Sequence, residues 1–236
     1  MSHRHANIDI REISKFDALA SRWWDPTGEF RTLHHINPLR FAYIDSRADL
    51  KNKRALDIGC GGGLLAEAMA RCGAEVTGID MAEASLQVAR LHLKESGLKV
   101  HYQQIAAEAL AETMPAHFDT ITCMEMIEHV PKPAAIVQAC AALVKPGGHV
   151  FFSTLNRNAK SFMLAILGAE YLLRLIPRGT HEYAKFIRPS ELAQWARHAG
   201  LELRGNTGLH YHPLTRHYWL GGNVDVNYFM HFIRSN

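Results

Sequence analysis

Four glycines in five residues fix the centre of this chain. In Leu56-Asp57-Ile58-Gly59-Cys60-Gly61-Gly62-Gly63 an apolar run with the character of a buried strand stops at a glycine loop, and a helix from Leu64 to Arg71 follows at once. Glycine at such a junction lets the backbone turn sharply and leaves no side chain between loop and ligand. A second apolar strand, Glu75 to Ile79, ends at Asp80. A carboxylate there can accept hydrogen bonds from both hydroxyls of a ribose. Loop and acid together predict a nucleoside-containing cofactor at the carboxyl ends of parallel strands.

Spacing alone also permits a dinucleotide, because G-x-G-x-x-G/A falls on Gly61, Gly63 and Ala66. Asp57 argues against it: two residues before the first glycine, its charge would oppose a pyrophosphate but suits an ammonium group. The glycines also crowd the strand end instead of spreading into the helix. S-adenosylmethionine, with a cationic amino-acid end and a ribose, fits better, and Asp57, Gly61 and Asp80 are its expected contacts.

The strand–helix rhythm extends over most of the chain. Strands are expected near 54–58, 75–79, 99–104, 118–123 and 149–154, the pattern of a parallel sheet wound on both faces. Ile10, Ile13, Phe16, Ala20 and Trp23 form a helical stripe within 7–24, closed by the turn Asp25-Pro26-Thr27-Gly28. Asn37-Pro38 predicts an N-cap and first turn of a helix to about Ala48, and Lys145-Pro146-Gly147-Gly148 predicts a turn before the fifth strand. Ser190 predicts a helix cap, and the tail from Leu201 to Ile233 one or two strands. A chain of 236 residues suits one domain: N-terminal helices over about 7–50, a core over about 51–155 and 189–236, and an insertion over about 158–188.

That insertion breaks the rhythm. Ser161 to Pro177 is a greasy run with Glu170, Arg174 and Arg178 as a thin polar stripe, and six Lys or Arg stand against two Glu between Asn156 and Arg188. Greasy and basic together predict a helix on an anionic bilayer surface or a lid over an apolar substrate, against the plainer alternative of packing on the domain or a second subunit. The net charge of +3 does not call for nucleic acid. Cys60, Cys72, Cys123 and Cys140 form no C-x-x-C pair, which suits a reducing compartment without structural zinc. Mixed charges in the first dozen residues and the lack of a long apolar run predict neither leader nor span, hence a cytoplasmic protein.

The fourth strand runs out into Thr122-Cys123-Met124-Glu125-Met126-Ile127-Glu128-His129-Val130-Pro131, beside the expected reactive methyl. His129 suits a general base. Glu125, Glu128 and His129 also suit a divalent cation that would lower a phenol's pKa. The bland alternative is that the group only caps the next helix or hydrogen-bonds the cofactor loop.

Asp57 to Gly63, Cys123 to Val130, Leu143 to Gly148 and Phe152-Ser153-Thr154-Leu155-Asn156-Arg157 resemble class I methyltransferases. Ala20-Ser21-Arg22-Trp23-Trp24-Asp25, His35-Ile36-Asn37-Pro38-Leu39-Arg40 and Gly222 to Tyr228 narrow the resemblance to the ubiquinone-biosynthesis O-methyltransferase family, over about residues 10–230. The resemblance implies a doubly wound, mostly parallel seven-stranded α/β sheet and methyl transfer to a catechol hydroxyl of polyprenylated ubiquinone precursors, a polyprenyl hydroxyphenol and demethylubiquinol. It implies cofactor contacts at Arg40, Gly59, Asp80 and Met124, with Arg40 on the methionine carboxylate, and Mg2+ at Glu125, Glu128 and His129. It also implies association with the inner membrane and with other ubiquinone-pathway proteins. After the third strand, Ile105-Ala106-Ala107-Glu108 lacks the Asp that many methyltransferases offer to adenine. Rival readings are a methyltransferase for another small acceptor, a non-catalytic cofactor-binding scaffold and, more distantly, an NAD enzyme.

Overall fold

A computed structural model describes residues 7–158, 161, 185–212 and 214–236. Five parallel strands, β1 (Arg54–Ile58), β2 (Glu75–Asp80), β3 (Val100–Gln104), β4 (Phe118–Met124) and β5 (Val144–Leu155), share a sheet with β6 (Leu201–His212), β7 (His217–Gly221) and β8 (Asn227–Arg234), which pair antiparallel. The strand order is β3-β2-β1-β4-β5-β8-β6-β7. The chain steps from β1 outward to β3, then returns to lay β4 on the other side of β1. A crevice for a ligand opens at the carboxyl ends where that direction reverses.

Helices cover both faces, so each strand must present apolar side chains in both directions. Leu56, Ile58, Phe152 and Phe232 point into a core shared with α5 (Ala107–Thr113), α6 (Pro133–Leu143) and α7 (Pro189–His198). Ala55, Phe151 and Phe229 point into a second core with α2 (Arg31–Ala48), α3 (Leu64–Arg71) and α4 (Glu83–Ser96). The four phenylalanines are fully buried, each worth about 2–3 kcal/mol of transfer free energy.

Several expectations change. The sheet has eight strands where seven were implied, because the tail forms three, with β6 and β7 a hairpin at the edge. Helix α2 begins at Arg31, and Pro38 lies inside it. The added turn puts Leu33 on the cleft wall and buries Ile36, while Asn37 donates Nδ2 to the Leu64 carbonyl at 3.0 Å instead of capping. Lys145 to Gly148 lies within β5 as a bulge: Phe118 pairs with Val144, Thr120 with His149, and the register shifts between. Helix α7 begins at Pro189 rather than being capped by Ser190; Arg188 N–H donates to Glu191 Oε2 at 2.9 Å. Most of the segment 158–188, with its greasy run, lies outside the described residues.

Between β5 and β8, His149 Nδ1 and His231 Nε2 are 2.9 Å apart, and His231 stacks on Phe151. Burial, then the charge His149 would carry, pushes His231 down to about 4. An unfolded histidine titrates near 6.5, so the unfolded chain binds the extra proton between those values. Stability is therefore lost as pH falls from about 6.5 towards 4, by up to about 1.4 kcal/mol per pH unit from this site. Urea unfolding at pH 7 and pH 5 should show the loss, and His231→Phe should flatten it; an equal slope in the variant contradicts the assignment.

Candidate active site

The glycine loop is gripped by aromatic rings. Gly59, Gly61 and Gly63 have φ of +72°, +52° and +88°, where an L side chain is strained. A Cβ on Gly61 would meet Trp23 Cζ2 at 2.1 Å, one on Gly62 Trp23 Cδ1 at 2.2 Å, and one on Gly63 Tyr102 Oη at 2.1 Å. On Gly59 it would strike Met126 Cγ at 2.3 Å. The expectation of a bare loop is thus corrected: the protein's own side chains take much of the space. Gly59, Cys60 and Gly61 border the cleft, whose volume is about 1170 Å³ including its open mouth.

Asp57, Asp80, Glu125 and His129 line that cleft, with Arg40 and Met124 in its wall. Asp80 accepts from Gly61 N–H through Oδ2 and from Ala82 N–H through Oδ1, both at 2.8 Å, which leaves each oxygen a lone pair for a ribose hydroxyl. Burial raises its pKa. Asp57 is buried, accepts from Thr122 Oγ1 at 2.7 Å, and is pushed up to about 6, chiefly by burial. Arg40, projecting from α2, is only 4% exposed. Its guanidinium reaches Asn37 Oδ1 at 3.2 Å, while Nε has no hydrogen-bond partner among the described residues. A buried guanidinium N–H left open on a cleft wall is a place for an anion.

Past β4 the residues diverge. Glu125 adopts φ +54°, a left-handed conformation that costs a non-glycine residue strain. It is held there by Ser153, whose Oγ donates to Oε1 at 2.7 Å, and by Asn227 Nδ2 at 3.2 and 3.3 Å from the two oxygens. Asn156 and Asn158 in turn tie the 224–226 backbone to the end of β5. Glu128 is buried outside the cleft lining, and neither carboxylate oxygen has a hydrogen-bond partner among the described residues. Burial, then the charge of Glu125, holds its pKa up.

His129 lines the cleft, and its Nδ1 donates to Glu12 Oε2 at 2.9 Å. Burial disfavours the imidazolium, but the Glu12 bond and the surrounding carboxylates outweigh it, and the pKa rises. Glu12 falls well below the usual carboxylate range through its bond to His129, against burial, with Lys185 and Lys15 adding to the effect. Lys185 Nζ reaches Glu12 Oε1 at 2.9 Å.

Helix α1 (Ile10–Leu19) was legible as a helix but not as a wall of the site. The stripe placed Ile10 inside, yet Ile10 is 76% exposed while Glu12 is 5% exposed. Asn7, just before it, donates to Glu108 Oε1 at 3.0 Å and accepts from Lys132 N–H at 2.7 Å, fastening this segment across the cleft. A glutamate in an amphipathic helix gives no sign in the sequence that it faces a histidine 117 residues away.

Glu125, Glu128 and His129 do not gather around a common point. Among the described residues no three His, Cys, Asp or Glu side chains form a metal-binding group. Glu125 is engaged by Ser153 and Asn227, His129 by Glu12, and Glu128 lies off the cleft. This arrangement does not fit a shared Mg2+, so no chemistry is derived through one.

The doubly wound sheet, the glycine loop at its switch point and the acids around it define an S-adenosylmethionine-dependent methyltransferase. A family model described as a methyltransferase domain matches residues 29–205. Ubiquinone biosynthesis O-methyltransferase of Pseudomonas putida (strain GB-1) is 60% identical, covering 98% of this chain and 99% of its own. That of Pseudomonas aeruginosa (strain LESB58) is 62% identical, covering 94% and 96%. Among solved structures, magnesium protoporphyrin IX methyltransferase of Synechocystis PCC 6803 with bound SAH is similar with a TM-score of 0.69 at 17% identity, covering 94% of this chain and 95% of that one. A putative methyltransferase of Bacillus halodurans C-125 gives 0.61 at 20% identity, covering 83% and 99%. The chain belongs to the ubiquinone biosynthesis O-methyltransferase family.

A ligand ammonium bound beside Asp57 would lower that carboxyl's pKa from about 6 and so release a proton wherever the free protein holds one. Affinity for S-adenosylhomocysteine should therefore weaken as pH falls below about 6, by up to about tenfold per unit. Calorimetric titration from pH 5 to 7.5 measures it. Asp57→Asn should bind more weakly at pH 7.5 with a flatter profile; a profile as steep as wild type would rule Asp57 out.

Proposed function

We propose that this chain transfers a methyl group from S-adenosylmethionine to a catechol hydroxyl of polyprenylated ubiquinone precursors, at the polyprenyl hydroxyphenol and demethylubiquinol steps. The observation that carries the proposal is His129, fixed by Glu12 on the wall of the cleft beside the glycine loop. Nδ1 carries the bond to Glu12, and in this reading Nε2 is the nitrogen that takes the proton of a phenol. A phenol near pKa 10 is mostly protonated at pH 7, so such a base is needed. The cofactor supplies an electrophilic methyl on a sulfonium. Arg40 takes its carboxylate, Asp57 its ammonium and Asp80 its ribose, while Gly59, Gly61 and Met124 shape the surface against it. Glu125, held by Ser153 and Asn227, sets the backbone turn that leads to His129. Alignment of nucleophile and methyl supplies much of the rate in such a displacement.

Residues 1–236 act in this reading as one unit, with 158–188 as the part that meets the bilayer where a polyprenyl tail resides. Its five basic residues against two acidic ones support an anionic membrane surface as partner. No helix among the described residues is long and apolar enough to cross a membrane. Contact with other ubiquinone-pathway proteins is part of the same reading. Deleting 162–176 should weaken sedimentation with anionic liposomes and leave cofactor affinity unchanged; undiminished liposome binding counts against the membrane role.

Methyl transfer from labelled S-adenosylmethionine to a short-chain prenylated catechol, with Mg2+ and with excess chelator, tests the chemistry. Product in both conditions, and a loss of about 10²-fold or more in turnover for His129→Ala with cofactor affinity kept, is expected. Product only with Mg2+ would restore the metal and remove the base. A catechol without a prenyl tail working equally well would favour another acceptor.

A further inference from the structure

The Trp23-Trp24 pair is not absorbed by the mechanism. Trp24 Nε1 donates to the Gly62 carbonyl at 2.9 Å, and its ring stacks face to face on His92 with centroids 3.3 Å apart. His92 Nδ1 donates to Glu67 Oε1 at 2.8 Å, and Glu67, one turn into α3, is completely buried. The bond to His92 offsets part of the cost of burying this carboxylate, and it anchors the ring on which Trp24 stacks.

Trp23 lies on the same loop. Its indole covers Gly61 and Gly62, it is 6% exposed, and it forms part of the cleft wall. Its Nε1, unlike that of Trp24, is buried with no hydrogen-bond partner among the described residues. A buried indole N–H almost always finds an acceptor. Trp23 packs with Leu64, the Leu64 carbonyl takes Asn37 Nδ2, and Asn37 Oδ1 takes the guanidinium of Arg40. Arg40, which also lines the cleft, has a buried Nε with no hydrogen-bond partner among the described residues. Two unfilled buried donors, one charged and one neutral, mark a carboxylate site.

We propose that Trp23 is a cofactor-binding residue whose indole N–H, with Arg40, receives the carboxylate of the cofactor's amino-acid end, and that Trp24 is the positioning residue that holds it there. The proposal rests on the cofactor reading above, and its test separates the two. Calorimetry with wild type, Trp23→Phe and Trp24→Phe uses two ligands, S-adenosylhomocysteine and 5′-methylthioadenosine, which lacks the carboxylate and ammonium.

Wild-type protein binding neither ligand would overturn the cofactor reading itself, and this inference with it. Given binding, Trp23→Phe should raise the Kd of S-adenosylhomocysteine about tenfold or more while that of 5′-methylthioadenosine moves less than about twofold. Trp24→Phe, which keeps the ring on His92 but loses the bond to Gly62, should show the same selective loss. The double variant should be little weaker than Trp23→Phe alone. Equal weakening for both ligands, or no change for S-adenosylhomocysteine, overturns the assignment of Trp23. Additive losses in the double variant overturn the positioning role of Trp24. Should Trp23→Phe fail to fold, Trp24→Phe carries the comparison: its selective loss supports the carboxylate contact and an equal loss refutes it.

Discussion

The contact on which the site depends is the indole of Trp23 laid against the side-chain-free backbone of Gly61 and Gly62. A methyl group on either glycine would sit within the ring, so the loop and the tryptophan exist only in each other's presence. From that contact the rest is built outward. Leu64 packs under Trp23 and opens α3, Asn37 bonds its carbonyl, and Arg40 follows on the same helix. On the other side, the chain leading into Trp23 runs back as α1, which delivers Glu12 to His129 and, through Asn7, closes over Glu108 and Lys132.

Electrostatics complete the fit. Asp57 is buried and Asp80 half-buried on the floor of the cleft, and desolvation raises both above ordinary carboxylates. Arg40 is buried at one side, with a donor unfilled. Each charge is costly where it stands alone and compensated when a ligand of opposite sign arrives. A zwitterionic amino-acid end and a ribose answer that distribution, whereas a pyrophosphate would meet Asp57. The same reasoning places His129 apart: its carboxylate partner is already present in Glu12, so the imidazole is oriented before any substrate binds.

Much of this was legible in the sequence because it depends on local pattern. Strand β1, the loop and the acid ending β2 are a short-range signal, and their positions hold to the residue or nearly so. The α2 start was missed because Asn37-Pro38 looks like a helix opening, while the packing of Leu33 and Ile36 decides the matter from a distance. The eighth strand was missed because the hairpin 201–221 is stabilised by pairing along β8, which no local period announces. Glu12 was missed for the same kind of reason: its burial is caused by His129 and Lys185, far along the chain. The three-residue cluster at Glu125, Glu128 and His129 misled in the opposite way. Adjacency in sequence suggested a common ligand set, but Glu125 is engaged by Ser153 and Asn227, His129 by Glu12, and Glu128 lies off the cleft.

The central claim is that residues 7–28 are a wall of the cofactor cleft and not an appendage to the sheet. Hydrogen–deuterium exchange of the full chain, with and without S-adenosylhomocysteine, tests this most directly. The amides of α1 and of residues 20–28 should slow on binding along with those of the glycine loop. Protection confined to the loop and the ends of β2 and β4, with residues 7–28 exchanging as before, would contradict it.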